Sequence, residues 1–199
     1  MGELVVLTKG SYVRFLTLSI LLIFSINLHA EPSVNVSTDY YIVSGKTPRD
    51  IRNSLNNNSP IYANGKRYDA NTQWSISWQY WLNGKVGDCK VNKVKTIVNV
   101  RFTLPRLQVN QFLSSTVISR WKSYESALLQ HEYGHQDNGV SAAREIENRL
   151  LTIQPQQSCQ TVKDMIQTIT NTIISKYKQK DSIFDQQTQH GKRTGAVFP

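Results

Sequence analysis

Cysteine is nearly absent: the 199 residues hold two, Cys89 and Cys159. That excludes a disulfide-dense miniprotein and a cysteine-ligated zinc module, since neither thiol has a second cysteine or a histidine at ligand spacing. Acidic residues are also scarce, 14 against 23 Lys plus Arg, and charged residues make up 19% of the chain, too few for a disordered polyelectrolyte. Internal repeats and long low-complexity tracts are missing, which excludes solenoids, coiled coils and collagen-like chains. A hydrophobic run of membrane-spanning length is missing too. The longest, Leu16 to Leu28, has 13 residues and is interrupted by Thr17, Ser19, Ser25 and Asn27, short of the roughly 20 a helix needs to cross a bilayer.

That short run carries a different meaning. Lys9 and Arg14 precede it and Ala30 follows it, the order of a secretory signal peptide with cleavage after residue 30. Residues 31–199 are then one exported domain, secreted or periplasmic. Removing Lys9, Arg14 and Glu3 leaves 21 basic and 13 acidic residues, a balance of +8. The basic residues are scattered and form no aromatic-rich module, so nucleic acid is not an expected partner, whereas an anionic envelope surface suits the charge. In an oxidising compartment the two cysteines are expected to pair as Cys89–Cys159.

Periodicity sets the expected fold. Tyr40 to Val43 reads as a short strand, and Thr47-Pro48 opens a helix through Leu55 with threonine as cap and proline at its first position. Asn56 to Pro60 reads as a surface loop. Trp74, Ile76, Trp78 and Tyr80 alternate with polar residues, Asn83-Gly84 signals a turn, and Val94 to Phe102 alternates again, so the two runs are expected to pair antiparallel. From about Thr116 the spacing changes to three and four. Val117, Trp121, Tyr124, Leu128, His131 and His135 share one helical face, continued by Ala142, Ile146 and Leu150 until Gln154-Pro155. A last helix is expected from about Thr161 to Lys178, with Tyr177 inward, and the tail after Asp181 reads as irregular. The fold class is α+β, a small antiparallel sheet packed on the long helix and a C-terminal helix.

Inside that long helix lies His131-Glu132-Tyr133-Gly134-His135. Histidines four residues apart project from successive turns and can close on one ion, while the glutamate beside the first reaches water on that ion, which suits zinc and hydrolysis. Glu132 is the expected general base, and the expected substrate is a peptide or protein. Gly134 costs the helix about 1 kcal/mol relative to alanine, which implies close packing or access there. A third protein ligand is needed. His29 leaves with the signal peptide, so His190 is the expected one, with Asp137, Glu145, Glu147 and Asp185 as rival oxygen donors. Asp185 is alternatively a partner of a ligating histidine, and Tyr177 or Arg193 a stabiliser of the oxyanion. The strand Val94 to Phe102 is the expected edge on which an extended peptide aligns. The extension that would add Gly and His three and six residues after the second histidine is absent, since Asn138 and Ser141 stand there.

These residues resemble a bacterial family described as predicted secreted zinc-dependent proteases and otherwise catalogued as a domain of unknown function. The resemblance spans Tyr41 to Gly45, the Thr72 to Tyr80 strand, Cys89, Leu104-Pro105-Arg106, Trp121 to His135, Cys159 and the closing segment Asp185 to Pro199. It implies a zincin-like protease and names no substrate. The alternatives are an envelope binding module with a structural metal, and hydrolysis of a non-peptide amide.

Overall fold

The computed structural model describes residues 31–63, 65–85, 87–109 and 113–199. The expected signal peptide lies outside them. The chain is α+β, as its periodicities predict. Its elements are β1 (Ser33–Val43), α1 (Pro48–Asn58), β2 (Tyr62–Ala63), β3 (Lys66–Arg67), β4 (Asn71–Lys85), β5 (Asp88–Leu107), α2 (Ser115–Leu151), α3 (Cys159–Thr188) and a 3-10 turn (Lys192–Thr194).

The main sheet is ordered β1-β5-β4. β4 and β5 pair antiparallel as expected, Asn71 opposite Thr103 through Lys85 opposite Asp88, but the turn is not at Asn83-Gly84. Those residues are paired within the ladder, and the chain reverses between Lys85 and Asp88, where Gly87 takes φ 88°. Gly84 is needed for another reason: a Cβ on it would lie 2.8 Å from the Cys159 sulfur. The sheet is also mixed rather than purely antiparallel. β1 starts at Ser33, seven residues before the expected strand, and runs parallel to β5 from Ser33 opposite Ile97 to Val43 opposite Leu107. With β1 on one side and β4 on the other, β5 is the central strand, and from Ile97 to Thr103 both its edges are paired, which closes most of the expected Val94 to Phe102 edge to a peptide; β1 and β4 are the edges.

α2 lies across the sheet because its apolar stripe meets the even-numbered row of β4 and β5. Trp74, Val98, Val100 and Phe102 pack with Ala142, Ile146 and Leu150, and α3 adds Val162, Ile166, Ile173 and Tyr177. Gly139 lets the helix touch the sheet, since a Cβ there would lie 2.8 Å from Trp74 Cγ. A second cluster gathers Ile51 and Leu55 of α1, Trp121, Tyr124 and Leu128 of α2, and Ala196 and Phe198 of the tail. α1 begins as its sequence predicts: Thr47 accepts from the Asp50 N–H and the Asp50 carboxylate accepts from the Thr47 N–H. It runs on to Asn58, and Ser59 of the expected surface loop is buried.

The expected disulfide is formed. Cys89 and Cys159 join the start of β5 to the start of α3 across 70 residues. A disulfide fits an oxidising extracytoplasmic compartment. Among the described residues no helix is long and apolar enough to cross a membrane.

Candidate metal centre

The 37 residues of α2 carry the motif midway along a helix whose inner face is buried against the sheet and α3. His131 and His135 point toward α3, Glu132 toward β4. Each of the three is buried.

The residues that meet the histidines come from a part of α3 that the sequence reading assigned to an irregular tail. α3 runs ten residues beyond Lys178, so Asp181 and Asp185 sit one turn apart and face the two histidines, also one turn apart. His131 Nε2 and His135 Nε2 each lie 3.1 Å from Asp185 Oδ1. His135 Nδ1 lies 3.0 Å from Asp181 Oδ1. The inward face of α3 continues past Tyr177, but at Asp181 and Asp185 it carries carboxylates.

Each side chain is held from behind. Asp181 also accepts from Asn138 Nδ2 at 2.8 Å and from the Trp74 indole N–H at 2.7 Å, which ties it to both α2 and β4. Phe184 stacks on His131 with ring centroids 4.8 Å apart and meets His135 edge-on. Gly134 makes room for it, since a Cβ there would stand 2.7 Å from the Phe184 ring. The close packing expected at Gly134 is thus with the ring that braces both histidines. Glu132 Oε2 accepts from the Thr72 hydroxyl at 2.6 Å.

His131, His135 and Asp185 form the compact donor group, their ligand atoms all within 4.8 Å of one another. Two imidazole nitrogens and one carboxylate oxygen make a donor set that suits zinc, and three protein donors leave a position open. The Asp181 carboxylate behind His135 fits the same reading, because an Nδ1–H donated to it leaves Nε2 free for an ion. The residues present therefore fit a zinc ion.

His190, the expected third ligand, lies outside that compact group. After α3 ends, Gln189 and His190 both take φ 52°, and the His190 N–H caps the Asp185 carbonyl at 2.9 Å. The turn brings His190 Nδ1 to 3.3 Å from Asp185 Oδ1 and its ring against Tyr68, centroids 4.4 Å apart. Side-chain exposure rises from 2% at His131 and 9% at His135 to 28% at Asp185 and 46% at His190, so the centre opens to solvent on the His190 side. The tail then closes behind: Gly191 passes where a Cβ would lie 3.1 Å from His131, and Phe198 packs on Trp121 and Tyr124.

The other expected site residues have separate roles. Glu147 is buried and accepts from the Thr96 N–H and hydroxyl, both at 2.8 Å. Glu145 pairs with Lys176 at the surface, and Asp137 is exposed. Tyr177 is in the core, bonded to Glu145 and eight residues before Asp185, which is about 12 Å along the helix axis. Arg193 is exposed and donates to the Gln187 carbonyl. Neither is gathered with the histidines.

Electrostatics follow from the crowding. Burial works against a charged ring at His135, but the hydrogen bonds to Asp181 and Asp185 outweigh it and push its pKa up to about 10 without an ion. Burial would raise Asp185 as well; hydrogen bonds from His131 and His135 instead hold it well below the carboxylate range. Burial pushes Glu132 up, opposed by the Thr72 hydroxyl. A cation is what this cluster of carboxylates favours.

Sequence reasoning missed Asp181, Thr72 and Phe184. The spacing of Asp181 and Asp185, four apart like the histidines, is a signal that was present. A family model described as "Bacterial protein of unknown function (DUF922)" matches residues 38–191, a span that includes every donor named above. No curated protein and no solved structure matches the chain.

Proposed function

We propose that this chain, which belongs to the DUF922 family of bacterial proteins of unknown function, is an exported zinc-dependent peptidase. His131, His135 and Asp185 would hold the ion, and Glu132 would serve as general base. The observation that carries the reading is the placement of a buried glutamate next to three donors that converge from two helices. A zinc ion in such a set supplies Lewis acidity and makes water acidic near neutral pH.

The chain's own residues supply the rest. Glu132 is raised by burial and anchored by Thr72, so it is suited to take a proton from the attacking water and return one to the leaving amine. Asp181 fixes the ring of His135, and Phe184 braces both imidazoles, stacked on His131 and edge-on to His135. Substrate enters from the His190 and Tyr68 side, where the centre is exposed. His190 at that rim is positioned to hydrogen-bond a bound carbonyl or to Asp185. β4, an edge strand, starts at Asn71 next to Thr72 and offers free main-chain groups for an extended peptide.

The test is Glu132→Gln assayed on a library of peptides. Turnover should fall at least 100-fold with the zinc content unchanged. Equal turnover in the variant and the parent protein would refute the assigned base. Retained ligand binding with no turnover in either protein would favour an envelope binding module.

A further inference from the structure

β1 alternates from Ser33 to Tyr40, and on its polar face the last two positions, Tyr41 and Val43, turn into the second core cluster. Ser33, Asn35, Ser37 and Asp39 take one face; Val34, Val36, Thr38, Tyr40 and Ile42 take the other. The register puts this second row level with Val98, Val100, Phe102 and Leu104, the row that α2 covers on β5. α2 does not reach it. Val34, Val36, Tyr40 and Ile42 are each between 39% and 54% exposed. Between this row and the outer flank of α2, with Phe102 and Leu104 as floor and Leu129 and Tyr133 as wall, runs a groove of about 600 Å³.

The free edge is open over most of its length; near its end α1 reaches it, where Asn58 Nδ2 donates to the Ile42 carbonyl at 3.1 Å. Natural edge strands are blunted by lysine, proline, bulges or short length. β1 has none of these: its one charged residue is Asp39, and its ladder to β5 continues without a register break.

The order of residues says what fits there. About Thr38, the middle of the strand, the groove-face row is a palindrome of apolar and polar positions. If a second β1 ran antiparallel with Thr38 opposite Thr38, Val34 would face Ile42 and Val36 would face Tyr40, both in each direction, all on the groove face. On the other face Ser37 would meet Asp39 and Asn35 would meet Tyr41, with no like charges opposed. A shift of two residues leaves at least one apolar side chain opposite Thr38 or beyond the strand. The register that pairs all four apolar residues is also the one that pairs the whole strand. Such self-complementarity is what a twofold axis requires. The strand is about 36 Å long and, with one packing layer of about 10 Å on either side, the face is roughly 700 Å² per protomer, near the ~800 Å² of a stable interface.

We infer that β1 is a homodimer interface, in which the β1 edges of two copies pair antiparallel about a twofold axis at Thr38 and join two three-stranded sheets into one of six. The inference does not depend on the metal centre, whose donors lie between α2 and α3 and which opens on the His190 side.

Light scattering on the purified protein after size exclusion should give twice the chain mass, and Val36→Lys should give the single mass with an unchanged circular dichroism spectrum. The register is tested separately. Both native cysteines are in the disulfide, so an added thiol stands alone. Thr38→Cys should cross-link two chains under mild oxidation, because residues directly opposite have Cα atoms about 4.5 to 5.5 Å apart, within disulfide range. Ser33→Cys should not, since its copies would be about 33 Å apart. A single-chain mass for the parent protein at ~100 µM overturns the inference, since interfaces of about this size have Kd values of about a µM or tighter. So does a dimer that Thr38→Cys leaves uncross-linked or that Ser33→Cys cross-links.

Discussion

Glycine in the middle of a helix normally yields to alanine with a gain of about 1 kcal/mol. Gly139, near the middle of α2, should behave in the opposite way. A Cβ there would lie 2.8 Å from Trp74 Cγ, 3.0 Å from Cδ2 and 3.1 Å from Cβ. These are the inner atoms of a side chain that is 5% exposed, so relief needs movement of β4 or α2 and not a swing of a ring tip. Overpacking costs about 1 to 3 kcal/mol, and with three inner atoms this close the upper part of that range, about 2 to 3, applies; the helix gain offsets about 1 of it, so Gly139→Ala should lose roughly 1 to 2 kcal/mol. For a domain of this size that is a fall in Tm of about 2 to 8 °C. The loss should reach the metal centre as well. Trp74 donates to Asp181 Oδ2 at 2.7 Å, and Asp181 holds His135, so displacement of the indole should weaken zinc binding several-fold. The assays are thermal denaturation followed by circular dichroism and a chelator competition for zinc. An unchanged or higher Tm with unchanged zinc affinity would refute the contact on which this reasoning rests.

Three other substitutions probe separate parts of the account. Asp181→Ala leaves His135 Nδ1, Asn138 and the Trp74 indole without their acceptor and should lower zinc affinity about 10- to 100-fold, read by the same competition. Glu147→Ala removes the acceptor of the buried Thr96 N–H and hydroxyl and should cost about 2 to 4 kcal/mol in urea denaturation, yet leave zinc stoichiometry intact, because this acid is not at the centre. Cys89→Ala with Cys159→Ala should lose about 2 to 5 kcal/mol, and reduction of the parent protein should lose a similar amount in the same denaturation.

Much of the architecture could be read from local pattern. The cap at Thr47, the long amphipathic helix, the disulfide and the pairing of Trp74–Tyr80 with Val94–Phe102 all follow from short-range rules whose signals agree with the packing. Three features were hidden, each for a physical reason. Asn83-Gly84 has the composition of a turn, but its glycine serves the nearby disulfide and the ladder runs past it. The last ten residues of α3 lack an apolar stripe because their inward positions, Asp181 and Asp185, face histidines and not aliphatic side chains. The first half of β1 does alternate, but its apolar row is left open to solvent and its partner strand lies 64 residues away.

The candidate site was half legible. A helix period places His131 and His135 together and the motif names Glu132, whereas the third donor depends on where a later helix ends. Reading an irregular tail after Asp181 made a returning His190 attractive. The continued helix carries Asp185, one of the rival donors, into the compact group, and His190 stands at its rim with Nδ1 3.3 Å from Asp185 Oδ1. A pair of carboxylates four apart, downstream of a pair of histidines four apart, is the pattern that would have pointed there.

The central claim is that His131, His135 and Asp185 hold one zinc ion. Elemental analysis of the purified protein beside Asp185→Ala and His190→Ala tests it most directly. The account predicts near-stoichiometric zinc in the parent protein and in His190→Ala, with the ion lost from Asp185→Ala. No zinc in the parent protein, or zinc kept by Asp185→Ala and lost from His190→Ala, would contradict it.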